Sequence, residues 1–184
     1  GYYVDGLGSK YENGYALIKS DLDLGSGDDY VSVNSSFSAV SETNINLGDG
    51  NDEIYISHNR PFDNRGTPLL VNNSTINAGD GDDKISINAN SSVFAGWGTQ
   101  RTVMPLKDST IYLGDGDNEL YLNGSGGFNF SIENSSIFGV DNSDIIYFDD
   151  YSNSLGLSFN NLSISLGLGN DEIALYDGGS SNFD

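Results

Sequence analysis

Cysteine is absent, and with it go disulfides, thiolate metal sites and cysteine nucleophiles. Basic side chains are scarce: 7 Lys and Arg stand against 27 Asp and Glu, a formal net charge of −20. Phosphate binding needs clustered Lys and Arg, so this balance argues against a nucleic-acid partner. It argues against an anionic membrane surface for the same reason. No stretch approaches 18 consecutive apolar residues, which excludes a membrane-spanning helix. Proline is rare, at 3 residues in 184, and there is a single His and a single Trp. What is present is unlike a disordered acidic tail. Hydrophobic residues make up 36% and aromatics 11%, both too high for such a segment. Glycine reaches 24 residues, and Asn and Ser are frequent. The length suits one domain with a real core.

Six segments align: LDLGSGDDYVSV from Leu22, INLGDGNDEIYI from Ile45, INAGDGDDKISI from Ile76, IYLGDGDNELYL from Ile111, IFGVDNSDIIYF from Ile137 and ISLGLGNDEIAL from Ile164. They start 23, 31, 35, 26 and 27 residues apart. Repetition at such periods marks a solenoid or array. In the second copy Ile45 and Leu47 alternate with Asn44 and Asn46, and Ile54 and Ile56 with Glu53 and Tyr55. This is the period of a half-buried strand. A third apolar run precedes each copy, as in Leu69-Leu70-Val71, followed by a short polar corner such as Asn72-Asn73-Ser74.

One repeat therefore reads strand, polar corner, strand, acidic Gly turn, strand, variable loop. That is one coil of an all-β, three-sided parallel β-helix of about six coils, right-handed by the general crossover preference. Residues 16–176 supply the coils. Residues 1–15 form an N-terminal cap or a preceding coil, and 177–184 a tail or the start of another coil. The whole chain, 1–184, reads as a single module of a larger secreted protein. Inward rows should stack like on like: Leu22, Ile45, Ile76, Ile111, Ile137, Ile164, and Val33, Ile56, Ile87, Leu122, Phe148, Leu175. On an outward row Lys84 falls between Glu53 and Glu119. Two aromatic pairs, Tyr112 with Phe138 and Tyr121 with Tyr147, should share rows as well.

Stacking places over half of the carboxylates in one column of turns. At an effective dielectric near 20, carboxylates about 4–5 Å apart repel by roughly 3–4 kcal/mol per pair. The column needs counter-charge. Hard oxygen donors on a Gly-rich turn suit Ca²⁺, which takes about 6–8 oxygens, better than Mg²⁺ with its strict octahedron. The metal-ligating residues expected from the turns are Asp28, Asp29, Asp49, Asn51, Asp52, Asp80, Asp82, Asp83, Asp115, Asp117, Asp141, Asp144, Asn170 and Asp171.

The turn resembles the calcium-binding nonapeptide of RTX, or haemolysin-type, proteins, G-G-x-G-x-D-x-U-x. In the second copy Gly48 and Gly50 match the second and fourth positions, Asp52 the ligand Asp and Ile54 the large apolar position. The resemblance covers about nine residues of each coil. It implies ligand Asp residues at 29, 52, 83, 144 and 171, with Asn118 in the fourth copy. It also implies ions held between turns of successive coils, export in an unfolded state, and folding outside the cell where calcium is abundant. The first glycine of the nonapeptide is replaced by Leu24, Leu47, Ala78, Leu113 and Leu166, and is kept only as Gly139. The copies are not tandem, so one row of up to about five ions is expected. The first three copies keep the pattern best.

All three arginines lie in two insertions, with the only His and Trp. His58, Arg60 and Arg65 fall on the second coil, and Trp97 and Arg101 on the third. Arg grips carboxylates bidentately and aromatic rings stack, so these five residues are candidates for an acidic polysaccharide or a neighbouring surface-protein domain. Two functions follow. One is a calcium-binding structural or adhesive module at the bacterial cell surface or outside it. The other is a β-helix that binds or cleaves polysaccharide, as lyases do, although no catalytic motif is recognisable.

Overall fold

A computed structural model describes residues 2–5, 16–35, 38–58, 67–90, 102–125, 129–150 and 156–177. The described residues contain strands and turns and no helix. Strand β1, Tyr2–Asp5, comes first. Coil one follows as β2 (Leu17–Ile18), β3 (Asp21–Asp23) and β4 (Tyr30–Ser35). Coil two is β5 (Val40–Ser41), β6 (Asn44–Asp49) and β7 (Glu53–His58). Coil three is β8 (Leu69–Asn72), β9 (Thr75–Asp80) and β10 (Lys84–Asn90). Coil four is β11 (Thr102–Lys107), β12 (Thr110–Gly114) and β13 (Glu119–Ser125). In coil five one long strand, β14 (Asn129–Gly139), runs through the corner and is followed by β15 (Ile145–Asp150). Coil six repeats this with β16 (Leu157–Ser165) and β17 (Glu172–Asp177).

Every pairing among the described strands is parallel and joins one coil to the next. Face three is a seven-stranded sheet in the order β1-β4-β7-β10-β13-β15-β17. Faces one and two are joined into one bent sheet by β14 and β16, each of which serves both. The result is a parallel β-solenoid. The register is the one expected from the repeats. Leu22, Ile45, Ile76, Ile111, Ile137 and Ile164 are successive partners, and so are Val33, Ile56, Ile87, Leu122, Phe148 and Leu175.

The interior is filled by these rows. Ile54, Ile56, Ile76, Ile85, Ile87 and Leu120 are fully buried. Each such side chain stabilises the fold by about 1.5–3 kcal/mol. Burial fails at the last coil, where the equivalent Ile173 and Leu175 are 48% and 52% exposed. On the outer surface Lys84 reaches Glu119 at 3.6 Å and lies 5.0 Å from the Tyr121 ring centre. Tyr121 and Tyr147 stack with centroids 4.6 Å apart and planes 11° apart. Tyr176 extends that stack at 6.3 Å, and Tyr112 stacks on Phe138 at 5.4 Å. An isolated exposed pair is worth little, but a ladder of them reinforces the register.

The corner between faces one and two has its own column. Lys19, Glu42, Asn73, Asp108, Asn134 and Asn161 each turn the chain with φ between 47° and 57°. The next residue in the first five coils is Ser20, Thr43, Ser74, Ser109 or Ser135. Each of these hydroxyls donates to a carbonyl two residues back. From coil two onward each also accepts the backbone N–H of the preceding coil's Ser or Thr, at 3.1–3.3 Å. The column satisfies buried backbone donors that a sharp corner would otherwise strand.

Candidate metal centre

The acidic turns stack because two of their positions are glycine. Gly48 and Gly50 have φ of 112° and 132°. The tighter constraint comes from the neighbouring coil. A Cβ on Gly48 would lie 1.7 Å from the Gly25 carbonyl oxygen, on Gly79 1.8 Å from that of Gly48, and on Gly114 1.7 Å from that of Gly79. The turns are in backbone contact, and no side chain fits between them. Their carbonyls run along the stack as well: Gly25 O accepts from Asp49 N at 2.9 Å and Asp80 O from Gly50 N at 2.8 Å.

Carboxylates and amides leave this backbone in three columns. In the inner column each side chain reaches back to the preceding coil. Asp52 Oδ1 accepts from Asp29 N at 2.7 Å, Asp83 Oδ1 from Asp52 N at 2.8 Å and Asn118 Oδ1 from Asp83 N at 2.9 Å. Asp144 Oδ1 accepts from Asn118 N at 3.3 Å, and Asp171 Oδ1 from Asp144 N at 3.1 Å. In the outer column each side chain reaches forward. Asp28 accepts from Asn51 N, Asn51 from Asp82 N, Asp82 from Asp117 N and Asp117 from Ser143 N, all at 2.9–3.0 Å. The third column, at the middle of the turn, is exposed. Asp49 is in register with Asp80, and Asp80 with Asp115. Asp141 pairs instead with Leu168, and Asn170 is exposed on the last turn.

The inner column is the chemically unusual one. Asp52, Asp83 and Asp144 are buried, and the Oδ2 of each has no hydrogen-bond partner. Burial is the main cause that pushes all three acids above the ordinary carboxylate range, and neighbouring carboxylates push the same way. Asp83, only 2% exposed, is raised to about 7 against the N–H bond from Asp52, which lowers it. A buried carboxylate oxygen without a donor calls for a proton or a cation.

Hard, partly desolvated oxygens in a row fit the donor chemistry of Ca²⁺. Asp29, Asp52, Asp83, Asp144 and Asp171 would supply the inner oxygens, and the turn carbonyls keep a second lone pair each. The carboxylates are nevertheless drawn out as columns along the axis, not gathered in cups. Among the described residues no three His, Asp or Glu side chains converge closely enough to hold a metal ion.

The fifth copy departs from the pattern for a visible reason. A Cβ on Gly139 would lie 1.9 Å from Asp144 Oδ2. Gly139 lies opposite Gly114 across a register shift and leaves room for the Asp144 carboxylate, whereas Asp52 and Asp83 are buried beside the core residues Leu47 and Ala78 without such a gap. That single glycine was the signal for it in the sequence. The hydroxyl column at the corner carried a weaker signal, since Ser is common throughout the chain. Asp150 is buried at the end of β15 in the row of His58, Ala89 and Gly124, and nothing in the sequence around it sets it apart from the other acidic residues.

Of the five residues proposed for a glycan or protein partner, His58 is 1% exposed at the end of β7, so its side chain is packed inside. Arg60, Arg65, Trp97 and Arg101 lie outside the described residues.

No known protein-family model matches this chain, and no curated protein and no solved structure matches it significantly.

Proposed function

We propose that this chain is a calcium-stabilised structural or adhesive module that works outside the cell. The observation that carries the reading is the inner column: Asp52 and Asp83 on successive coils, and Asp144 two coils further on, are buried carboxylates that each keep an oxygen no protein donor reaches. In water without divalent ions, ionised carboxylates at this spacing oppose stacking. Calcium between the turns would remove that opposition and supply the missing partner for Oδ2. Asp29, Asp52, Asp83, Asp144 and Asp171 are the residues that would hold it, with the exposed Asp49, Asp80 and Asp115 adding outer oxygens. A tube that is stiff only where calcium is abundant suits a secreted or surface-attached protein, and the resemblance of the turn to the RTX nonapeptide points the same way.

The test is a calcium titration followed by circular dichroism, with ions counted per chain. The expected result is uptake of several ions and a thermal midpoint well above that in chelator. An independent site at about 100 times its Kd adds about 2.7 kcal/mol. Equal midpoints with calcium and with chelator would remove the reading.

A further inference from the structure

Asn118 holds the inner-column position of coil four, where every other coil has Asp. It is 1% exposed. Its Oδ1 accepts the Asp83 N–H, just as a carboxylate oxygen does on the neighbouring coils. Its amide nitrogen does what a carboxylate cannot. It donates to Asp144 Oδ1 at 3.0 Å and to the Gly116 carbonyl at 3.0 Å. Asn118 has no buried side-chain atom without a partner, whereas Asp83 and Asp144 on either side each keep a bare, buried Oδ2. Along the axis the column therefore reads three carboxylates, one satisfied amide, two carboxylates.

Distance gives this interruption its meaning. Asp83 and Asp144 stand two coils apart, about 9–10 Å at the strand spacing. A calcium ion bonds oxygens at about 2.3–2.6 Å, so one ion cannot bridge them. Between coils three and five the amide supplies the inter-coil contact and has no negative charge to offset. We infer that Asn118 divides the inner column into two blocks that load with cations separately. Asp29, Asp52 and Asp83 form the first, and Asp144 and Asp171 the second. Asn118 is a positioning residue in this scheme, holding Asp144 Oδ1 in place without a metal. The inference rests on the calcium reading above and adds the way in which the ions are grouped.

Asp83→Asn copies the natural residue of the next coil and so keeps the fold. Asp171→Asn does the same for the second block. With calcium as the only probe, binding isotherms and ion counts should show two classes of site in the parent chain. Asp83→Asn should weaken or remove one class and leave the other within about twofold, as expected for distant sites. Asp171→Asn should do the converse. Asn118→Asp should raise the ion count, make uptake cooperative across the whole column, and lower the thermal midpoint in chelator. If Asp83→Asn weakens all sites alike, or Asn118→Asp changes neither the ion count nor the chelator midpoint, the division into blocks is wrong while the calcium reading stands. If the parent chain takes up no calcium, both fail.

Discussion

Gly25 and Gly48 have similar backbone angles, φ of 93° and 112°, but different surroundings. Among the described residues nothing lies within 4 Å of a Cβ placed on Gly25, whereas one on Gly48 runs into the carbonyl of the coil before it. Gly25→Ala should therefore cost only the left-handed backbone, about 1–2 kcal/mol. Gly48→Ala must push neighbouring coils apart, and should cost more than about 4 kcal/mol or prevent folding. Urea denaturation of the two variants separates these outcomes. Asp83 carries a different residue-scale consequence. Its carboxyl has a pKa of about 7 in the fold against an ordinary 3.8, so the folded state binds that proton more tightly. The stabilisation is complete below about pH 4 and is lost as pH rises to about 7. The metal-free protein should thus melt at a lower temperature at pH 8 than at pH 5. Asp83→Asn should flatten that slope, and calcium should oppose it by favouring the ionised form. A metal-free midpoint that climbs between pH 5 and 8 would contradict the assignment.

At the scale of the elements, strands and corners were unequally legible. Alternation fixed which of Ile45, Asn46 and Leu47 point inward, and register then followed, because like rows pack best when aligned. The aromatic pairs and the Lys84 to Glu119 contact came from the same register. The hydroxyl column did not. Ser74 or Ser109 alone looks like any loop serine, and its partner is 31 or 35 residues away on another coil. The opposed reach of the inner and outer Asp columns was equally hidden. Asp28 and Asp29 are adjacent in sequence, and only the stacked backbone decides which N–H each can meet. The corner yields a prediction of its own. Ser109→Ala would strand the Ser74 N–H and should cost about 1–3 kcal/mol. Ser158→Ala, exposed on β16, should stay within about 0.5 kcal/mol.

For the whole molecule, each coil touches only its neighbours, so stability is a chain of nearest-neighbour terms. Coils three and four, with Ile85, Ile87, Leu120 and Leu122 fully buried, have a packed coil on both sides. Coil six leaves Ile173 and Leu175 half exposed. Amide exchange should be slowest in β10 and β13 and fastest in β17, with a gradient between them. Uniform protection along the tube would contradict a nearest-neighbour solenoid. The opposed side-chain columns also have a mechanical consequence. At each of the first four junctions an inner clasp faces one way and an outer clasp the other, so a pull along the axis must open both together. Between coils five and six Ser143 stands where the outer carboxylate would, and among the described residues the Asp144 to Asp171 contact is the one side-chain clasp across that turn, beside backbone bonds such as Leu168 N to Val140 O at 3.0 Å. Under a pull along the axis the acidic turn of that junction should open before those of the first four, while the long β14–β16 pairing holds its strands together.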